Sequence, residues 1–369
     1  MNKKISFAGP SITQLEKDYV LDAVETGWYE TFDKHIRKLE RTFADYIGIK
    51  YAIATNCCTA SLHMATAALG LGPGDEVIVT DTSWIATAYA VSYTGATCVF
   101  VDIDPETWCI DPACIRAAIT PKTKAIMLVH TFGHPAEMDE IMAIAKEHSL
   151  AVIEDAAPAI GSAYKGKLVG GFGDISCFSF QGAKMTASGE GGMYLTNDPD
   201  LYERARLFAD MGRTNSKYTF YCETMGFHYP INNLSAALAL AQVERVDELI
   251  AKKRELYAVY RERLAGRPGL KLLKEQPGCF SNYCYPSLLL TDTGWAGRDA
   301  LLAGLREQNI HARPAFPRMS RFPVYGSPRF ENPVAGQVEA QGISLPAAAN
   351  LTPEDIHTVC DHIIKLMED

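Results

Sequence analysis

Lys184 lies in a short polar turn between two apolar stretches, residues 175–180 and 193–196, each of which predicts a buried strand. Gln181 and Gly182 end the first stretch, and the turn Gly-Glu-Gly-Gly at residues 189–192 precedes the second. Lysine is rare in buried loops because its charge resists desolvation. A lysine at this position therefore indicates an amine suited to Schiff-base chemistry. The alternative is an ordinary surface lysine on a hairpin.

An acidic residue ends another apolar stretch upstream of this lysine. Residues 150–156, Leu-Ala-Val-Ile-Glu-Asp-Ala, predict a short buried strand that ends at Asp155, 29 residues before Lys184. A carboxylate at the carboxyl end of a buried strand can pair with the pyridine nitrogen of pyridoxal phosphate and keep that ring protonated. Lys184 and Asp155 together therefore predict a pyridoxal phosphate site.

The spacing of Asp155, the Phe-Ser-Phe of residues 178–180, Lys184 and the Gly-Glu-Gly-Gly turn resembles the core of the DegT/DnrJ/EryC1/StrS aminotransferases. The resemblance covers nearly the whole chain and is densest from residue 50 to residue 240. It implies a pyridoxal phosphate enzyme of fold type I that acts on sugars. In such an enzyme Lys184 binds the cofactor covalently and moves protons, and Asp155 pairs with the cofactor ring.

A predicted helix after residue 56 is the candidate phosphate site. Small residues at a helix start leave backbone N–H groups unpaired, and the positive end of the helix dipole favours a phosphate, although a plain helix cap would look the same. The resemblance assigns this role to Cys58, Thr59 and Ala60, with Cys58 standing where glycine is more usual. It also matches Ser179 to the position whose hydroxyl binds the phosphate, and Gln181 is the nearest alternative.

The resemblance gives two further residues contacts with the cofactor. Trp84 matches an aromatic residue that stacks on the cofactor ring, against the alternative that it is a core tryptophan. His228 stands where an asparagine often contacts the phosphate of the partner subunit. The resemblance therefore implies a homodimer with the active site at the interface. An ordinary interface histidine at position 228 would fit the sequence almost as well.

Three residues are candidates for binding the substrate. Trp28 and Tyr29 follow Gly27 in a turn that the resemblance places near the substrate cleft, whereas core packing is the alternative for both rings. Arg313 lies in a predicted loop of the C-terminal part and would bind a carboxylate or a phosphate, unless it forms a surface ion pair.

The chain departs from the family pattern in the turn after Asp155. Pro158 replaces a residue that is often polar and contacts the cofactor ring, and Ile160 replaces a frequent histidine. Both changes predict a more apolar pocket wall. His130 and His134 are expected to be structural rather than metal ligands, and no metal site is predicted.

The elements that position these residues alternate between apolar strands and amphipathic helices. This alternation predicts βαβ units and an α/β fold with a mostly parallel sheet. The resemblance specifies a large domain with a seven-stranded-type sheet between helices and a smaller C-terminal α+β domain. We expect the large domain to span residues 1–250, with an N-terminal helical segment, and the small domain residues 251–369. One long helix is predicted from residue 234 through residue 254.

Composition excludes several classes of function. The net charge of −9 argues against nucleic acid or an anionic membrane surface as a partner. No apolar run approaches the length of a membrane span, and the first residues lack a hydrophobic signal core. The ten cysteines are scattered without a Cys-x-x-Cys pair, which indicates reduced thiols and a cytoplasmic protein.

The resemblance thus predicts transfer of an amino group from glutamate to a sugar carbonyl. The acceptor most similar to the pattern is a GDP-linked 4-keto-6-deoxymannose for a cell-surface polysaccharide, and a free sugar acid such as an 8-oxo-3-deoxy-octulosonate is the alternative. A sugar dehydratase of the same family is disfavoured because those enzymes replace the lysine with histidine. A non-catalytic regulator would carry a basic DNA-binding segment that this chain lacks. A cysteine desulfurase would need a reactive cysteine, and Cys279 and Cys284 have no basic neighbour in sequence.

Overall fold

The computed structural model describes residues 3–214, 217–218 and 220–368. Within them the α-helices are α1 (Gln14–Thr26), α2 (Lys34–Ile47), α3 (Cys58–Ala68), α4 (Ala86–Ser92), α5 (Pro112–Ala118), α6 (Met138–His148), α7 (Pro199–Ala209), α8 (Asn233–Glu244), α9 (Val246–Leu264), α10 (Trp295–Glu307), α11 (Pro333–Gln341) and α12 (Pro353–Glu368). Short 3₁₀ helices lie at Tyr29–Thr31, Thr131–Gly133, Met319–Arg321 and Pro323–Tyr325.

The strands of the described ranges are β1 (Tyr51–Thr55), β2 (Glu76–Thr80), β3 (Thr97–Val101), β4 (Thr123–Val129), β5 (Ala151–Asp155), β6 (Ala163–Tyr164), β7 (Lys167–Leu168), β8 (Ile175–Ser179), β9 (Gly192–Thr196), β10 (Leu270–Leu272), β11 (Cys279–Phe280), β12 (Ser287–Leu290), β13 (Arg313–Pro314) and β14 (Gly342–Ser344). A small three-stranded sheet has the order β11-β6-β7.

The central sheet has seven strands in the order β1-β9-β8-β5-β4-β2-β3. β9 runs antiparallel to β1 and β8, and the pairs β8–β5, β5–β4, β4–β2 and β2–β3 are parallel. Alternate residues of β2 enter opposite cores: Val77 and Val79 pack with Leu62 of α3, and Ile78 packs with Ile141 of α6. Burial on both faces explains the continuous apolar runs. This arrangement confirms the predicted mostly parallel sheet between helices.

The smaller C-terminal part contains a four-stranded sheet with the order β10-β12-β14-β13, and all its pairings are antiparallel. Its core joins residues of these strands to residues of α9, α10 and α12. The predicted α+β character of this part is therefore confirmed. Ile5 belongs to the same core and pairs with Ile310, so the start of the chain packs with its C-terminal part. The boundary at residue 250 stays a prediction.

The prediction of one long helix from residue 234 to residue 254 is wrong, because Arg245 divides this segment into two helices. Arg245 has φ −108° and ψ 12° and separates α8 from α9. Its guanidinium donates to Glu16 at 2.5 Å and to Glu248 at 2.7 Å. Glu16 lies on α1, so a contact with a distant part of the sequence accompanies the break. Among the described helices, none combines the length and apolar composition needed to cross a membrane.

Candidate active site

A cavity of about 510 Å³ lies at the carboxyl ends of β2, β4, β5 and β8. This is the edge at which parallel α/β sheets place their ligands. Residues from the C-terminal part of the chain close one side of the cavity. The predicted site residues that line it are Cys58, Thr59, Trp84, Asp155, Ser179, Lys184 and Arg313.

Asp155 is the last residue of β5, and its carboxylate is buried in the cavity wall. Oδ2 accepts a hydrogen bond from Thr87 Oγ1 at 2.7 Å, and Oδ1 accepts one from the amide of Ala157 at 3.1 Å. Burial raises the pKa of the Asp155 carboxyl, and these two hydrogen bonds and the positive charge of Lys184 act against that rise. A cationic ring nitrogen beside the carboxylate would favour its ionised form further.

Thr87 is a site residue that the sequence analysis missed. Its hydroxyl is buried in α4, and the Ser83 hydroxyl lies 3.1 Å from it. Ser83, Thr87 and Asp155 therefore form a buried hydrogen-bonded chain that fixes one carboxylate oxygen. The one sequence signal is its position in the first turn of the helix that follows Trp84, and its amide donates to the carbonyl of Trp84 at 3.2 Å.

Lys184 is half-buried in the loop after β8, and its amide donates to the carbonyl of Gln181 at 2.8 Å. Its Nζ lies 5.6 Å from the centre of the Tyr285 ring. The Tyr285 hydroxyl donates to the carbonyl of Ala183, the residue before Lys184, at 3.0 Å. Tyr285 was also missed, since it comes from the C-terminal part of the chain and reaches the lysine loop only in the fold.

The start of α3 offers hydrogen-bond donors to the cavity, whereas Asp155 offers a carboxylate acceptor. The amides of Ala60 and Ser61 donate to the carbonyl of Cys57, whereas those of Cys58 and Thr59 meet no acceptor among the described residues. A Cβ added to Gly192 would lie 2.6 Å from the Cys58 nitrogen. The third glycine of the Gly-Glu-Gly-Gly turn therefore allows the Cys57–Cys58 peptide to approach the sheet.

Ser179 lies beside this helix start. It pairs with Gly192 across β8 and β9, and its hydroxyl accepts the amide of Gln181 at 3.3 Å, which leaves the hydroxyl hydrogen for a ligand. Burial raises the pKa of the Cys58 thiol, so this side chain stays neutral and does not repel an anion. Free amides, a hydroxyl and a helix N-terminus form a donor set that suits a phosphate.

The residues present thus fit pyridoxal phosphate. Asp155 would pair with the ring nitrogen, the start of α3 and Ser179 would bind the phosphate, and Lys184 would bind the reactive carbon. Trp84 lines the cavity with an exposed ring whose centre lies 6.4 Å from that of Phe316. Its predicted stacking on the cofactor ring is compatible with this position, whereas a core tryptophan is not.

Pro158 and Ile160 were both predicted to make the pocket wall more apolar, and this prediction is wrong for Ile160. Pro158 lines the cavity, but Ile160 packs into the hydrophobic core and therefore does not make the pocket wall more apolar. The amide of the buried Asn282 side chain donates to both carbonyls, at 3.1 Å and 2.9 Å. Asn282 thus fixes the turn that carries Pro158, and Thr131 supplies a hydroxyl to the cavity wall nearby.

Four predicted residues lie outside the cavity lining. Ala60 is buried in α3 behind it. Trp28 and Tyr29 are 55% and 88% exposed, which contradicts the core-packing alternative for both. His228 is exposed, and its backbone carbonyl accepts from the Asn56 side chain at 3.3 Å. His228, Trp28 and Tyr29 thus lie at the surface of the chain, outside the lining of the cavity.

The two histidines expected to be structural have separate protein partners. His130 Nδ1 accepts the amide of Ala136 at 3.0 Å, so Nε2 carries the proton and donates to Glu154 at 3.0 Å. Burial would raise the pKa of Glu154, but bonds from His130 and from backbone amides hold it below its usual value. His134 accepts the amide of Gln276 at 3.1 Å. Within the described ranges, no cluster of three metal-binding side chains occurs.

Comparison with known proteins agrees with this geometry. Residues 10–364 match the model of the DegT/DnrJ/EryC1/StrS aminotransferase family. The chain is 39% identical over 367 residues to the GDP-perosamine synthase of Escherichia coli O157:H7, with 100% of both chains covered. It is 41% identical over 360 residues to the GDP-perosamine synthase of Caulobacter vibrioides, with 96% of both chains covered.

A solved structure extends the comparison to the cofactor. The PLP form of the putative sugar aminotransferase Spr1654 from Streptococcus pneumoniae superposes with a TM-score of 0.93 at 25% identity, covering 99% of both chains. The family match spans nearly the whole chain, and the cavity residues fit the cofactor. The chain therefore belongs to the DegT/DnrJ/EryC1/StrS aminotransferase family and is an aminotransferase that uses pyridoxal phosphate.

Proposed function

We propose that this enzyme transfers an amino group from glutamate to the keto carbon of a GDP-linked 4-keto-6-deoxy sugar that is used for a cell-surface polysaccharide. The observation that carries the proposal is that Lys184 and Asp155 line one cavity together with the start of α3, whose first amides are unpaired among the described residues. Identity of 39% and 41% to two GDP-perosamine synthases over almost the full chain supports the GDP-linked acceptor.

The residues of the cavity divide the reaction among them. Bound pyridoxal phosphate supplies an electron sink that makes the α-proton of the amino donor acidic. Nζ of Lys184 would bind the cofactor and, when free, would carry that proton from the α-carbon of the donor to the reactive carbon of the cofactor. Thr87 and Ala157 orient the carboxylate of Asp155, which would keep a proton on the ring nitrogen. The second half of the reaction uses the same groups in reverse with the sugar carbonyl.

The position of Lys184 depends on the loop that carries it. The hydroxyl of Tyr285 holds the carbonyl of Ala183, so the lysine stem starts from a fixed backbone. The amides at the start of α3 and the hydroxyl of Ser179 would orient the phosphate. These groups would hold the cofactor at both ends and leave Nζ able to move between the cofactor and the substrate carbon.

The exposed surface supports a homodimer with shared active sites. Large apolar side chains are exposed in two segments, on either side of residue 30 and between residues 211 and 225: Trp28, Tyr29, Phe32, Met211, Phe220, Tyr221 and Met225. Exposed aromatic side chains at this density are typical of an interface with a second chain. We infer that a second copy covers them and that His228 of each subunit contacts the cofactor phosphate of the other.

The cysteines support a cytoplasmic location. All ten, each within the described ranges, are free thiols, as is usual in a reducing compartment.

The half-reactions test the proposed chemistry. Adding glutamate to the purified holoenzyme should convert the absorbance band of the lysine-bound cofactor into that of pyridoxamine phosphate. GDP-4-keto-6-deoxymannose should then restore the first band, whereas an 8-oxo sugar acid should not. Lys184→Ala should abolish both changes, and the exposed lysine variant Lys124→Ala should retain them. No change with any amino donor would refute the aminotransferase assignment, and restoration by the sugar acid alone would refute the acceptor.

Mixed dimers test the shared site. Lys184→Ala and His228→Ala subunits are each expected to be nearly inactive as homodimers. Random re-pairing of equal amounts of the two variant subunits should restore about a quarter of the wild-type rate. Half of the dimers are then mixed, and one of the two sites in each mixed dimer has both Lys184 and His228. A mixture no more active than its two components would show that His228 acts within its own subunit or not at all.

A further inference from the structure

Arg313 is a cation on the cavity wall without an acidic partner. It lines the cavity, and among the described residues no acidic side chain forms an ion pair with it. The two arginines that follow it in sequence are different, since Arg318 and Arg321 both bind the buried carboxylate of Glu339, at 3.3 Å and 3.1 Å. Arg313 is therefore free to bind an anionic ligand in the cavity.

An aromatic ring from the start of the chain supports this cation. The guanidinium carbon of Arg313 lies 4.4 Å from the centre of the Phe7 ring. Phe7 also stacks on Tyr285, with ring centres 5.2 Å apart and planes at 17°. Nζ of Lys184 lies 5.6 Å from the centre of the Tyr285 ring. Successive contacts thus link Arg313, Phe7, Tyr285 and Lys184, and we call this series the aromatic column.

The segment that carries Phe7 is fixed by main-chain hydrogen bonds. The amide of Ile5 donates to Asn309 at 3.0 Å, and the amide of His311 donates to Ile5 at 3.0 Å. The amide of Ala347 donates to the carbonyl of Phe7 at 2.8 Å. Phe7 itself is 93% buried, as its exposed fraction is 7%. The ring is therefore a rigid surface for the arginine.

Stacking on a ring face has a consequence for ligand binding. It uses the face of the guanidinium and leaves the N–H donors, which lie in its plane, available at the edge. It also restricts a long side chain before any ligand binds, which lowers the entropic cost of binding. A planar, restricted guanidinium matches the two oxygens of a carboxylate or a phosphate.

We propose that Phe7 is a positioning residue that holds Arg313 as the receptor for an anionic group in the active site. The anion is the carboxylate of the amino donor or the diphosphate of the sugar nucleotide. Each of these groups presents two oxygen atoms that a guanidinium can bind with two parallel hydrogen bonds. The choice between them rests on the proposed function, but the anion-binding role of the column does not.

The test uses two simple anions on the holoenzyme, glutarate for the carboxylate and inorganic pyrophosphate for the diphosphate, with dissociation constants measured by calorimetry. Arg313→Gln should weaken one of the two by roughly 10- to 100-fold, the usual effect of losing a charge-assisted hydrogen bond. Arg321→Gln is the matched control and should change neither by more than about twofold, because Arg321 is already paired. The affected anion identifies the substrate group that Arg313 binds.

Phe7 is tested on the same anion. Phe7→Leu should weaken it by roughly 3- to 10-fold, whereas Phe7→Tyr, which keeps the ring, should restore the wild-type constant. In the Arg313→Gln background Phe7→Leu should have no further effect, since its action passes through the arginine.

Three results would overturn the proposal: neither anion binds the wild type, Arg313→Gln leaves both constants unchanged, or Phe7→Leu has the same effect with and without Arg313. Failure of the proposed function is a separate result, because an enzyme that rejects glutamate and GDP-linked sugars would still bind a simple anion at Arg313.

Discussion

Replacement of Thr87 by valine removes the hydroxyl that donates to Asp155 in the site. The Thr87 hydroxyl lies 2.7 Å from Asp155 Oδ2 and 3.1 Å from the Ser83 hydroxyl, and Thr87 is buried. Valine has nearly the same shape as threonine, and therefore packing in α4 should be preserved. Thr87→Val thus isolates the contribution of the hydroxyl to the state of the Asp155 carboxylate.

The expected magnitude follows from the type of bond. A hydrogen bond to a charged group contributes about 1.5–3 kcal/mol, which corresponds to roughly a 10- to 150-fold change in an equilibrium constant. Burial raises the pKa of Asp155, and the bond from Thr87 opposes this rise. The pKa of Asp155 should therefore be higher in Thr87→Val than in the wild type. Since the cofactor ring needs the carboxylate form, the variant should bind pyridoxal phosphate more weakly.

The loss should grow as pH falls. At a pH above both pKa values the carboxylate is ionised in either protein, and only the lost orientation remains. As pH decreases, Asp155 protonates first in the variant, so the ratio of the two dissociation constants increases until the wild type protonates as well. Titration of the apoenzyme with pyridoxal phosphate at a series of pH values, from alkaline pH down to the lowest pH at which both proteins stay folded, measures this ratio.

Thr87→Ser is the control, because it retains the hydroxyl and should stay within about threefold of the wild type. Equal binding by Thr87→Val and the wild type across the pH range would refute the role of this hydrogen bond. A loss of equal size in Thr87→Ser would attribute the effect to packing rather than to the hydroxyl.

Two further predictions concern stability. The buried carboxylate of Asp81 accepts the amide and the hydroxyl of Ser320, both at 2.8 Å, so Asp81→Ala should lower the free energy of unfolding by about 2–4 kcal/mol. An unchanged urea midpoint would contradict this estimate. Burial alone would raise the pKa of Glu16, but bonds from Thr13 and Arg245 lower it to about 2 from 4.5, a contribution of roughly 3 kcal/mol. Because a lowered carboxyl pKa stabilises above the unfolded value, Glu16→Gln should destabilise at neutral pH, and the difference should disappear as pH falls from about 4.5 to about 2. Urea unfolding at several pH values checks this, and a pH-independent difference would count against the ion pair.

The parts of the fold that depend on local pattern were predictable from the sequence. The alternation of apolar strands with amphipathic helices predicted the mostly parallel sheet, because buried parallel strands are continuous apolar runs between turn residues. Asp155 lies at the end of β5 as expected. Its role in the reaction stays a prediction, but its position follows from a rule of parallel sheets that needs no tertiary information.

The parts that depend on distant contacts were not predictable in the same way. The break at Arg245 coincides with an ion pair to Glu16, a residue more than 200 positions earlier in the chain. Neither glycine nor proline occurs within residues 234–254, so no helix-breaking residue in the sequence indicates the position of the break. Tyr285 and Phe316 reach the cavity from the C-terminal part of the chain, and a periodicity argument assigns them only to the core.

The turn after Asp155 shows why a substitution at a site cannot be interpreted from one position. Pro158 removes a side-chain donor from the cavity wall, which the sequence showed. The sequence did not show that Asn282 would bind the carbonyls of Pro158 and Ile160 and so set the path of the backbone. Gly133 permits this approach, since a Cβ there would lie 2.0 Å from the Asn282 oxygen. The shape of the cavity thus depends on Asn282 and Gly133, which are not among the described residues that line it.

The same dependence extends to Lys184, the proposed catalytic lysine. Lys184 belongs to the loop after β8, but the hydroxyl that fixes its loop is on Tyr285. Tyr285 stacks on Phe7, whose segment pairs with residues 309–311 and 347. The amine is therefore positioned by the start and the C-terminal part of the chain as well as by its own strand. A change in how these parts pack would move Lys184 and Arg313 together, because one aromatic column supports both cations.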